Sequence, residues 1–150
     1  MKNLHKAVVS YLRDMPFAEF SHDLYFNSAP NRNDTTMIAT VDGSYWLTPD
    51  MPYVDGSGTK AYDFQVIMYK ACAYEPGAEA ENIRAMEAVQ TAMDWIAEQD
   101  RLGIYPEFGE DCQVFSMEAL CNMPQVAGND AEGIKYMFPV RITFFYLGTA

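Results

Sequence analysis

The chain has 150 residues, 49% of them hydrophobic, and a formal net charge of −11. That length suits one compact domain with a core of its own, and the apolar and aromatic content excludes a disordered chain. The acidic balance argues against a protein that wraps a nucleic-acid backbone, and no apolar run approaches the ~20 residues a membrane-spanning helix needs.

Met1-Lys2-Asn3-Leu4-His5-Lys6 opens the chain, and no long apolar region or small-residue cleavage site follows. A cytoplasmic origin is therefore expected. Leu4, Ala7, Val8, Tyr11 and Leu12 fall on one helical face, and Met15-Pro16 ends the pattern. Ala18 to Phe26 is mixed and reads as a strand ending near Phe26. Asn27 to Asp34 is a loop by composition. Thr35 to Val41 is β-branched and apolar, which predicts a strand turned by Asp42-Gly43, with Tyr45-Trp46-Leu47 pairing back. Pro49, Pro52 and Asp55-Gly56-Ser57-Gly58 mark a second loop region.

Tyr62 to Tyr74 is the best-written strand. Tyr62, Phe64, Val66 and Met68 alternate with Asp63, Gln65, Ile67 and Tyr69, and the second set turns apolar midway. A helix follows Glu75-Pro76-Gly77. Glu79 and Glu81 sit in its first turns, where the macrodipole favours anions. Its apolar face is Ile83, Met86, Val89, Met93, Ile96 and Ala97, its polar face carries Glu87, Gln90 and Glu98, and Leu102-Gly103 stops it. Asp111 to Leu120 alternates with Phe115, Met117 and Ala119 on one side. From Gly133 on, Ile134, Tyr136, Phe138, Val140, Ile142 and Phe144 share a face, and Pro139 points to an edge or a bulge. Joined by Cys121 to Glu132, these last two strands form a long-looped hairpin. The expected fold is α+β: a mostly antiparallel sheet with an N-terminal helix and one long helix on one face, in a single domain.

The chemistry-bearing residues are few. Cys72, Cys112 and Cys121 are odd in number and match no CxxC spacing, so neither a disulfide framework nor a zinc site is expected. His5 and His22 are the only histidines. His22 precedes Asp23, but adjacent residues of a strand point apart, and there is no GxSxG elbow. Glu107, Glu110 and Asp111 cluster after Pro106, and two carboxylates are enough for acid–base work. No third ligand pattern accompanies them, so a solvated loop is the simpler reading. Asp50, Asp55 and Ser57 lack the glutamate that closes a calcium loop, since Ala61 stands at that place. There is no Walker loop and no GxGxxG. No cofactor, metal or catalytic residue is expected. Arg141 projects opposite to Val140 and Ile142, where it can pair a carboxylate.

Taken in order, Tyr53-Val54-Asp55-Gly56-Ser57, the Tyr62 strand, the helix through Trp95, Pro106-Glu107-Phe108-Gly109, Met123-Pro124 and the run from Gly133 to Tyr146 form a combination. It resembles the minor capsid protein family of tailed phages and prophages of Gram-positive bacteria. The likeness spans Pro52 to Tyr146, about two-thirds of the chain. Element order and size are similar to tail-terminator and tail-completion proteins, small α+β subunits that form a ring at the neck. The resemblance implies a structural virion protein, made in the host cytoplasm, that catalyses nothing. Its partners would be itself, in a ring of six by analogy, and the neighbouring tail-tube or head-completion proteins, with no nucleic-acid sequence recognition and no membrane.

A ring needs two different complementary surfaces on each subunit. The candidates are Trp46, Met51, Tyr53 and Asp55 in the loop Trp46 to Tyr62, and Met123, Asn129 and Asp130 in a protrusion from Cys121 to Lys135. Trp46 and Tyr53 serve equally well as a cover for the sheet end. The rival readings are a small enzyme using the acidic loop Glu107 to Asp111, and a ligand-binding module with a pocket of Tyr and Phe.

Overall fold

Two fourteen-residue strands, Gly58–Ala71 and Gly133–Tyr146, pair antiparallel over their full length, Gly58 opposite Tyr146 and Ala71 opposite Gly133. The other elements are arranged around this ribbon. In a computed structural model that describes residues 3–16, 23–29, 35–46, 57–71, 79–129 and 133–147, the order is α1 (Leu4–Arg13), β1 (Asp23–Phe26), β2 (Thr35–Trp46), β3 (Gly58–Ala71), α2 (Glu79–Leu102), β4 (Cys112–Ala119), β5 (Gln125–Asn129) and β6 (Gly133–Tyr146). The sheet has six strands in the order β1-β2-β3-β6-β4, and β5 also pairs β6. Every pairing is antiparallel except β1 with β2, which is parallel. Among the described residues the fold is thus mixed α/β, with a mostly antiparallel sheet and two helices.

Period-two alternation decides which face is buried. Tyr62, Phe64, Val66 and Met68 of β3 are buried, and so are Tyr136, Phe138, Val140, Ile142 and Phe144 of β6. They meet in register: Phe64 is opposite Val140 and Val66 opposite Phe138. Val8 and Leu12 of α1 and Val89, Ala92, Met93 and Ile96 of α2 join the same core cluster. Removing side chains of this size from water contributes about 1.5–3 kcal/mol each. The opposite face of the ribbon is half-buried and carries Asp63 beside Arg141, cross-strand partners. Arg141 donates to both carboxylate oxygens, at 2.9 and 3.1 Å.

The helix ends follow local rules. Asn3 caps α1, its side chain accepting from the Lys6 amide. At the end of α2, Gly103 takes φ +72°, its amide donates to the Asp100 carbonyl, and the Ile104 amide donates to Gln99. These are the paired bonds of a Schellman cap, and Gly supplies the left-handed residue at no steric cost. The buried face of α2 is narrower than the sequence pattern predicts: Ala92 belongs to it, whereas Ile83 and Ala97 are exposed. At 100° per residue, Ile83 lies more than a right angle from the Val89–Ile96 stripe.

Four expectations are corrected. Asp42-Gly43 does not turn the chain. β2 runs on from Thr35 to Trp46 against β3, and the register shift between Thr40 and Gly43 absorbs two extra residues as an irregularity. Cys121 to Glu132 is not one long loop, because Gln125–Asn129 is strand, and Gly58 to Tyr62 of the second expected loop is likewise strand. Pro139 lies in a strand paired on both sides, not at an edge. Its carbonyl accepts from the Leu120 amide, so its backbone polar groups face β4 and β5. The missing N–H therefore points to the place where β4 has ended and β5 has not begun. The Cys72 to Tyr74 end of the expected strand lies outside the described residues.

Gly133 begins β6 where a Cβ would lie 2.7 Å from the Lys70 backbone oxygen and 2.5 Å from the Tyr69 ring. Gly133→Ala must shift the ribbon end. Urea unfolding should show a loss of about 2 kcal/mol; an unchanged midpoint would mean the strand ends are not so closely apposed.

Candidate functional site

The acidic loop is a structural brace. Between α2 and β4, Pro106 and Phe108 are buried, and the Phe108 ring meets Phe144 edge-on at 5.1 Å and Tyr62 at 6.2 Å. Such edge-to-face pairs add to the burial itself. Gly109, at φ +107°, lets the chain turn back out. Glu107 and Glu110 point to solvent and Asp111 is half-buried. Asp100 ties the brace to its flanks: Oδ1 accepts from the Tyr105 hydroxyl at 2.7 Å and from the Met117 amide at 2.9 Å.

An open groove of about 540 Å³ runs between α1 and this brace, and Lys6, Asp14, Tyr11, Tyr105 and Glu107 are among its walls. Burial pushes the Tyr11 hydroxyl up to about 12, and it donates to the Ile104 carbonyl at 2.6 Å. It stays protonated near neutral pH and serves as a tether. Among the described residues no group of three or more His, Cys, Asp or Glu side chains could hold a metal ion. His5 is spent on packing. Its Nδ1 shares a hydrogen bond with the buried Tyr62 hydroxyl, and its ring lies 5.3 Å from Phe26. His22 lies outside the described residues. Cys112 and Cys121 are free thiols, both half-buried. Desolvation, aided by the Asp111 carboxylate, pushes the Cys112 thiol up to about 11. A thiol so raised is a poor nucleophile.

What the fold does present is an edge. β4 pairs the later half of β6 and β5 the earlier half, both antiparallel, so they form one interrupted outer strand. Within β4 the register shifts between Val114 and Ser116. The extra residue is Phe115, and this bulge reverses its side: Val114 and Met117 pack on the core while Phe115 is 52% exposed. The expected grouping of Phe115 with Met117 and Ala119 is thereby corrected. Pro124 is buried and anchors the crossing from β4 to β5, leaving Leu120 and Met123 outside at 45% and 60% exposure. Val126 of β5 is 62% exposed. From Cys112 to Asn129 the sequence holds one charge, Glu118, in a chain of net −11. Neither β4 nor β5 has a second strand partner among the described residues. Natural proteins usually guard such an edge with charge or cover it.

The sequence-expected interface residues fall in two groups. Met123 and Asn129 lie along this edge, Asn129 ending β5 opposite Ile134. Trp46 ends β2 opposite Lys60, on the far side of the ribbon. Met51, Tyr53, Asp55 and Asp130 lie outside the described residues. Sequence reading missed Phe115, Leu120 and Val126. Their signal was the near absence of charge from Cys112 to Asn129 beside a proline in the partner strand. No family model and no curated protein matches the chain.

Two outcomes test this description. Asp100→Ala removes both acceptor contacts and strands the Met117 amide, so urea unfolding should show a loss of about 1–3 kcal/mol. With its titration near 11 against an ordinary 9, Cys112 should react with iodoacetamide at pH 8 about 100-fold more slowly than an unstructured cysteine. Peptide mass spectrometry reads this directly, and fast labelling would revive Cys112 as a nucleophile.

Proposed function

We propose that the protein is a structural virion subunit of a tailed phage or prophage, of the tail-terminator or minor capsid kind. It would work by closing into a ring with copies of itself at the head–tail junction, where tail-tube or head-completion proteins dock on the ring. In this reading the two helices form one layer on a single face of the sheet, and both sheet edges are left for neighbours. The observation that carries it is the β4–β5 edge, apolar, almost uncharged and without a strand partner among the described residues. An edge of this kind is a template for another chain.

The opposite end of the sheet supports the same reading. β1 is four residues long and pairs β2 only from Thr35 to Ile38. The two outer strands of the sheet thus differ in length and span, as the two surfaces of a heterologous closed interface do. The motif combination from Tyr53 to Tyr146 points to the same class. Among the described residues, His5 is engaged with Tyr62, and burial raises the Cys112 thiol, so neither is poised for chemistry, which favours assembly.

Light scattering across a concentration series tests the proposal. The expected result is a step to one closed species, near six subunits by analogy with terminators. A Phe115→Lys/Val126→Lys variant should stay monomeric with an unchanged circular dichroism spectrum, because both side chains are exposed in the monomer. A strict monomer at high concentration, or assembly indifferent to the two lysines, would overturn the edge as the means of assembly.

A further inference from the structure

The two helices differ in charge and sit over opposite ends of the sheet. α1 touches β1, and α2 packs against β4. From Leu4 to Arg13, α1 contains no acidic residue, while Lys6 and Arg13 are exposed. They flank a groove of about 390 Å³ whose remaining walls are His5, Val9, Ser10 and Phe26. Neither Lys6 nor Arg13 is ion-paired among the described residues. In a chain this acidic, such a groove is a local inversion of charge.

The outer ridge of α2 has the complementary pattern. Ile83, Glu87 and Asp94 follow one another on its solvent side, and all three are exposed. Glu87 and Asp94 carry no ion pair among the described residues, whereas Glu98 is taken by Arg101. Glu87 and Asp94 are seven positions apart on their helix, and so are Lys6 and Arg13. Each pair therefore spans about 10 Å along its axis and stays on one stripe. The apolar members fall in step. Phe26 lies against His5, at the Lys6 end of the groove, and Ile83 lies one turn before Glu87.

We infer that the α2 ridge of one copy of this chain docks on the α1 groove of the next, with Glu87 facing Lys6, Asp94 facing Arg13, and Ile83 against Phe26. The helices then run parallel, and the β4 side of one copy meets the β1 side of its neighbour. The contact is head-to-tail, so it repeats from copy to copy and closes if the rotation permits. The inference rests on the ring reading above and adds to the β4–β5 edge a second pair of surfaces between adjacent subunits. Exposed charge pairs set register and encounter rate more than affinity, and salt screens them.

Charge exchange tests it. Light scattering and sedimentation would compare the full chain with Lys6→Glu/Arg13→Glu, with Glu87→Lys/Asp94→Lys, and with all four changes together. Each double variant should assemble about 30-fold more weakly, because like charges then face each other. The fourfold exchange should restore assembly, which a merely structural role for these residues would not do. Circular dichroism and urea unfolding of each variant confirm the fold. If the unaltered chain assembles and all variants assemble alike, the inference is overturned while the ring reading stands. Equal weakening in the doubles without restoration in the fourfold variant also overturns it. If the unaltered chain stays monomeric at every concentration, both the inference and the ring reading fail.

Discussion

The pairing of β3 with β6 is the constraint on which the rest depends. It joins residues far apart in sequence, and its fourteen-residue register fixes which side chains of each strand meet. A slip of one residue would send Phe64, Val66, Phe138 and Val140 to the half-buried face and bring Asp63 and Arg141 into the core. The bidentate Asp63–Arg141 pair opposes that slip as well, since both partners keep half-buried positions directly opposite each other. Both helices contribute to one cluster built on this ribbon, and Phe108 locks the segment after α2 onto Phe144.

The candidate site is a consequence of the same ribbon. β6 runs longer than any single strand on its outer side. Where Pro139 has no amide to offer, the neighbouring strand breaks, and Leu120 to Pro124 cross the gap. Along the β4–β5 edge four apolar side chains are left exposed, Phe115, Leu120, Met123 and Val126. A proline in an inner strand is thus linked, through backbone hydrogen-bond geometry, to an outward apolar strip on the strand beside it. Among the described residues, His5 is engaged with Tyr62, Cys112 is a thiol raised by burial, and Phe108 of the acidic loop packs on the core.

Much of the fold was legible in the sequence, and what was not has identifiable causes. The alternation of Tyr62 to Met68 and of Tyr136 to Phe144 named the buried face correctly, because each run holds one period with no irregularity on the inner side. α1 and the Gly103 stop were legible from short-range rules. The misread places are those where a local signal has two physical meanings. Asp42-Gly43 is a strong turn pair, yet here β3 continues alongside it and the pair is absorbed in the sheet. Phe115 fits an alternating pattern only if no residue is inserted, and the insertion is visible only in the register with β6. The run Gln125–Asn129 looks like loop by composition, and only its pairing with Ile134 to Met137 makes it a strand. Met123 and Asn129 were expected in a looped protrusion, and their position along the edge became visible only in the pairing of β5 with β6. Phe115, Leu120 and Val126 were not expected there, because a solvent-facing apolar residue in a strand cannot be told from a core residue without knowing which face is covered.

The central claim is that the β4–β5 edge is the surface by which this chain assembles. Amide hydrogen exchange across segment 112–129, measured on dilute and on concentrated protein, tests it most directly. The account predicts fast exchange in dilute solution for the β4 and β5 amides directed away from β6, and marked protection on assembly, with β3 and β6 unchanged. If the concentrated protein is assembled and those edge amides exchange as fast as before, the edge is not the contact and the account of this protein as an edge-assembled subunit is contradicted.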